Sequence, residues 1–216
     1  MLDQYYADAR LQRLANEVLI RHQLKTGRQL ALPISASDIL DDTLSDELRS
    51  VLWDKIECPP GTTVLAGLAP DDRQIVLNEE QRDLIVAWDG LENDLIAHEI
   101  GHWLLHVNRG TLGTLALPGV PRVVSIVCKG GVSFSRGEKN ANRFMGYLLM
   151  PESLLVPLAS SFDLRSWPSM FRLRQELDVT ITALRIRLEE LGFAYVDEGG
   201  RIHGSRREAT GQRRLF

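Results

Sequence analysis

The stretch Ala97–His106, AHEIGHWLLH, sets three of the chain's five histidines within nine residues. It falls in a run from about Glu92 to Val107 whose pattern predicts a helix. On a helix, residues i and i+4 lie about 40° apart around the axis and one turn along it, so His98 and His102 aim their imidazoles at one point. Glu99 lies about 100° around from His98, outside an easy ligand position but near enough to hold a water beside the two rings.

This is the H-E-x-x-H pattern, and its chemistry divides cleanly. Two imidazoles hold a divalent metal, which lowers the pKa of a water to roughly 7 and polarises a carbonyl. The intervening carboxylate takes the water's proton and passes it to a leaving amine. The pattern is therefore a peptidase signature, with Glu99 as the candidate base. The alternative is a set of helix-surface or core histidines that hold no metal.

His106 is a poor third ligand. It follows His98 by eight residues, about 12 Å of helix rise, whereas ligand nitrogens must all lie about 2.0–2.1 Å from a zinc. Metzincins solve this by breaking the helix at a glycine and placing a third histidine three residues later. Those positions here are Leu105 and Asn108. His106 reads instead as a capping or supporting residue near the helix end, where an imidazolium suits the dipole.

A third ligand is then expected from another helix. In EKNANRFMGYLLMP, Glu138, Asn142, Met145 and Leu149 share one helical stripe that starts polar and turns apolar. Glu138 can complete a His-His-Glu set, leaving the fourth position for water. Asn142, one turn on, can orient Glu138 or bond the second nitrogen of a ligating histidine. The competing reading of Glu138 is a solvated acid in a helix's first turn, favoured by the dipole.

The rest of the chain predicts an α+β protein with a small antiparallel sheet. Residues 4–24 read as an amphipathic helix ended at Thr26-Gly27, and residues 35–57 as a second helical segment started by Ser45-Asp46-Glu47. TTVLAGLAPDDRQIVLN reads as two strands joined at Ala69-Pro70-Asp71-Asp72. A long connection over residues 108–137 contains a β-like run, Val123 to Val127, and the glycines of Lys129-Gly130-Gly131. A helix to Met150 stops at Pro151, and a linker follows to Pro168.

Two short helices around Asp178-Val179-Thr180 resemble a helix-turn-helix. Their arginines, among them Arg172, Arg174 and Arg185, are offset by Glu176, Glu189 and Glu190. Charge cancellation favours packing or partner docking over reading DNA. The expected division is residues 1–160, residues 161–198 and a basic, disordered tail over 199–216. That tail reads as a solvated end, with weak, salt-sensitive phosphate contact as its rarer use.

A formal net charge of −4 and a pI near 5.8 give no overall attraction to nucleic acid or anionic membrane. Asp3, Asp8 and Arg10 interrupt the N-terminal stretch, so it is no signal peptide. No apolar run nears the roughly 18 residues of a membrane span. Cys58 and Cys128, the two cysteines, fit a reducing compartment, and the expected location is the cytoplasm. Cys128 reads as a small buried hydrophobe rather than a thiolate that plugs the metal.

Together, AHEIGHWLLH, the E-x-x-A-N-x-F of Glu138 to Phe144 and the LLMP of Leu148 to Pro151 resemble the ImmA/IrrE family of zinc metallo-endopeptidases. The resemblance spans roughly residues 5–195, most closely 94–151. It implies a minimal gluzincin-like, zincin-type core with His98, His102 and Glu138 on zinc, or manganese as the alternative, and Glu99 as catalytic base. It further implies cleavage of one protein partner, a helix-turn-helix repressor, to switch gene expression, including stress responses. Asn140 and Met145-Gly146 depart from the family pattern around Ala141 and Phe144, which bears on substrate choice. The substrate strand expected beside the active helix is Gln74, Ile75, Val76, Leu77 and Asn78. The competing expectation is a non-proteolytic regulator, or a toxin–antitoxin-associated binding protein, with a structural metal or a DNA-binding role.

Overall fold

The computed structural model describes residues 6–58, 61–107 and 136–210. It is α+β, with helices around a small mixed sheet. Helix α1, Asp8–Thr26, buries Leu11, Ala15, Val18 and Leu19, and its closing Gly27 (φ 68°) returns its N–H to the Gln23 carbonyl. The positive φ is why glycine serves there as the stop. A one-turn helix α2, Ala36–Asp38, capped by Ser35, runs into a π-helical turn, Ile39–Leu44, that buries Ile39, Leu40, Thr43 and Leu44.

Strand β1, Ser50–Asp54, follows where the sequence predicts more helix. Val51 and Trp53 turn inward and Leu52 and Asp54 outward, the period of two that a strand requires. Ser45-Asp46-Glu47 forms a turn rather than a helix start. Strands β2, Ala66–Ala69, and β3, Gln74–Asn78, form the expected antiparallel hairpin. β1 pairs with β3 in parallel, Ser50 opposite Gln74 and Asp54 opposite Asn78. The order is β1-β3-β2, so the sheet is mixed, which corrects the antiparallel expectation.

β3 is the central strand, hydrogen-bonded on both sides. Gln74, Ile75, Val76, Leu77 and Asn78 therefore offer no free edge to an added peptide strand, and their expected role in binding substrate is withdrawn. Asn78 is architectural instead. Its amide donates to the Val64 carbonyl at 2.8 Å and its Oδ1 accepts from the Glu80 N–H at 3.1 Å.

After α3, Arg82–Ala87, the motif helix α4 spans Leu91–His106. Helix α5 spans Arg136–Leu149. The expected linker from Pro151 holds a further helix, α6, Glu152–Ala159, with Pro151 at its N-cap. Helices α7, Trp167–Leu177, and α8, Ile181–Glu190, form the predicted pair, with Asp178 left-handed (φ 49°) at the turn and the Thr180 side chain capping α8. Strands β4, Tyr195–Val196, and β5, Ile202–His203, pair antiparallel, and α9 covers Arg206–Ala209. Residues 199–210 are thus ordered, against the expected disordered tail. Residues 211–216, the Val123 to Val127 run, Lys129-Gly130-Gly131 and Cys128 lie outside the described residues.

One apolar cluster joins Leu95, Ile96 and Phe144 to Leu173, Leu177, Val179, Leu184 and Leu188. The α7–α8 pair is consequently packed into the core of the metal-motif helices. The joint is tight at Gly90 (φ +76°), where a Cβ would come within 2.3 Å of the Val179 backbone. Beside it, Asn93 accepts from the Ala36 N–H at 2.8 Å and donates to the carbonyls of Ile34 and Asp178. Arg174 closes the corner by donating to the Asp89 carbonyl and carboxylate.

Candidate metal centre

The site is built where α4 packs against α5. Gly101, between the motif histidines, lets the helices approach. A Cβ there would sit 3.0 Å from the Phe144 ring and 3.3 Å from the Ala141 backbone. A side chain there would press on the Phe144 ring and the Ala141 backbone of α5. Around this contact α4 is buried on nearly all sides, with Trp103 and Ile100 in the core and His98, Glu99 and His102 each at most 2 % exposed.

His98 Nε2 lies 3.0 Å from His102 Nε2, and 3.2 Å from Glu138 Oε2. His102 Nε2 lies 3.2 Å from Glu138 Oε1. Ligands about 2.0–2.2 Å from a tetrahedral cation lie about 3.3–3.6 Å from one another. The triangle observed needs to open by only a few tenths of an ångström to seat one. His98, His102 and Glu138 can hold a metal ion.

The hydrogen bonding supports that use. Asn142 Oδ1 lies 3.0 Å from His98 Nδ1, and an amide oxygen only accepts, so Nδ1 carries the proton. A neutral His98 then turns the lone pair of Nε2 toward His102 and Glu138. Such a convergence of lone pairs and a carboxylate repels itself unless a proton or a cation lies among them.

The ionisation balance points the same way at two of the three groups. Burial works to raise the Glu138 pKa, but hydrogen bonds to His102 and His98 overcome it and hold the carboxyl down at about 2. Burial, joined by the charges of His98 and His106, lowers His102. Burial also works to lower His98, but the hydrogen bond and charge of Glu138 and the charge of Glu99 outweigh it, so its pKa is raised. Glu138 and His102 are thus held in the state that binds metal, whereas at His98 the neighbouring carboxylates favour a proton that a cation would have to displace.

Glu99 is wholly buried next to His98. His106 stands outside the triangle, as helix rise requires. Its ring lies 5.4 Å from that of His102, and its Nε2 lies 3.4 Å from the Gly137 carbonyl, where it braces the start of α5.

His98 and Glu138 also line a cavity of about 660 Å³ between α4, α5 and α8. Its walls include Leu95, Met145, Thr182, Ile186 and Glu190, none of them expected from the sequence as a site residue. Asp94 lines it too, one turn before His98. Its Oδ2 accepts from the Thr180 N–H at 3.1 Å, and Oδ1 is buried with no hydrogen-bond partner among the described residues. Burial, only partly offset by the Thr180 hydrogen bonds, pushes its pKa up to about 7.

No family model matches the chain, and no curated protein does. Among solved structures, a Mycobacterium tuberculosis transcriptional regulator is 16% identical with a TM-score of 0.48, over 93% of this chain. The match spans 55% of that regulator's own length. No helix among the described residues is long and apolar enough to cross a membrane.

Proposed function

We propose that the protein is a zinc-dependent endopeptidase of the ImmA/IrrE type, with a zincin-like core, acting in the cytoplasm on one protein partner, a helix-turn-helix repressor. The observation that carries this reading is the His98, His102 and Glu138 triangle, with Glu99 buried beside it on the same helix. Two imidazoles and a carboxylate with one position left over form the ligand set of a catalytic rather than a structural zinc, and manganese is the alternative ion.

A divalent cation bound there supplies a Lewis acid and a water of lowered pKa. Glu99 is the group that would hold a proton at this site, taking it from a water and passing it to a leaving amine. Asn142 holds the His98 ring, so Nε2 stays turned to the metal position. His106 steadies the first turn of α5 and with it Glu138.

The test is incubation of the purified protein and Zn²⁺ or Mn²⁺ with the product of a neighbouring repressor gene. One discrete cut is expected, and Glu99→Gln should lower its rate by about 10²–10⁴-fold while metal and fold are retained. If Glu99→Gln changes nothing, the protein is a regulator whose metal is structural.

A further inference from the structure

We infer that the outward stripe of α8 is the wall of the cleft that selects the substrate segment, an extended peptide carrying a bulky apolar side chain that lodges against Ile186. The inference rests on the peptidase reading above. In a DNA-reading helix-turn-helix the second helix presents its exposed face to the major groove. Here that helix is α8, and Thr182, Ile186 and Glu190, at i, i+4 and i+8, line the cavity that also holds His98 and Glu138. The face that would read bases is turned toward the metal site.

Three contacts hold α8 in that place. The Thr180 N–H at its N-cap donates to Asp94 on α4. Arg187 Nε donates to the Met150 carbonyl beyond the end of α5 at 3.1 Å, and its guanidinium lies 4.7 Å over the Tyr147 ring. The wall is therefore rigidly registered to both helices that carry the ligands.

Ile186 is 47 % exposed, on a helix whose other exposed positions include Arg185, Glu189 and Glu190. An isolated surface isoleucine is ordinary. This one shares a cleft with Leu91, Leu95 and Met145, so the four form an apolar lining that continues from the metal ligands. A peptide laid along the cleft from Glu138 toward Ile186 buries its apolar side chain there and presents its scissile carbonyl to the site.

The test uses the full metal-loaded chain and Ile186→Asp, with peptidyl hydroxamates of one to three residues carrying either leucine or glycine side chains. The hydroxamate chelates the metal and the side chains probe the wall, so the readout does not require cleavage. The wild type should bind the leucine series roughly tenfold or more tighter than the glycine series, and Ile186→Asp should erase that preference. Metal content and Tm should stay unchanged. Equal preference in both proteins would overturn the inference, as would sequence-specific retention of duplex DNA that Ile186→Asp abolishes. A proteome-derived peptide library, read by mass spectrometry, should show cuts beside bulky apolar residues that Ile186→Asp disperses. A library left uncut by the loaded wild type would overturn the peptidase reading, while the hydroxamates still decide the wall.

Discussion

The two helix pairs, α4–α5 and α7–α8, bury polar groups for opposite reasons. In α7–α8 the polar groups serve backbone partners. Thr180 caps α8, Arg187 donates to Met150, and Arg174 donates to Asp89. In α4–α5 the polar groups converge on one another, with two imidazole nitrogens and two carboxylate oxygens within 3.0–3.2 Å. Polar groups that satisfy a backbone hold a fold together; polar groups that crowd one point need something placed there. The contrast teaches that the helix-turn-helix-like pair is a frame for the metal helices.

The largest way to break this contrast is at the joint. Gly90→Ala forces a Cβ into the Val179 backbone at a positive φ and should cost at least about 3 kcal/mol. Chemical denaturation should show one cooperative transition that moves as a whole. If α7–α8 instead melted separately, the frame would be a detachable module.

Asp94 sharpens the contrast through pH. Its folded pKa is raised to about 7 from an unfolded value near 3.9. The folded state therefore binds the proton more tightly, and the acid costs nothing below the unfolded value. The cost grows as pH rises from about 4 to about 7 and is complete above that. Asp94→Asn keeps an acceptor for Thr180, so in metal-free protein it should stabilise by about 2–4 kcal/mol at pH 8 and change little at pH 3.5. Tm measured across that range checks both sign and window.

A smaller effect should separate orientation from ligation. Asn142→Ala removes the partner of His98 Nδ1 and should weaken metal binding about 10–100-fold. Its Tm without metal should hardly move. A large loss of Tm in the metal-free state would make Asn142 a packing residue.

The triangle of His98, His102 and Glu138 was legible in the sequence because its parts are local. His98, Glu99 and His102 lie within a turn or so of one helix, Glu138 and Asn142 on one turn of another, and helix rise alone disposes of His106. What stayed hidden depends on partners far along the chain. Residues 50–54 read as helix because a short strand shows its identity only beside β3. That error carried into the function, since Gln74 to Asn78 look like an exposed edge until β1 occupies it. The α8 wall was hidden for a similar reason. Ile186 is an unremarkable surface isoleucine until α8 is set against Glu138. The linker from Pro151 hid α6 because prolines stand at its cap and again at Pro157.

The account turns on whether Glu138 joins His98 and His102 around a single ion. Metal content and affinity of the purified protein, compared with Glu138→Ala by elemental analysis and zinc titration, decide it most directly. The wild type should hold one zinc per chain, and Glu138→Ala should remain folded with affinity lowered by at least about 100-fold. A wild type that binds no divalent ion, or a Glu138→Ala protein that binds it equally well, would contradict the account.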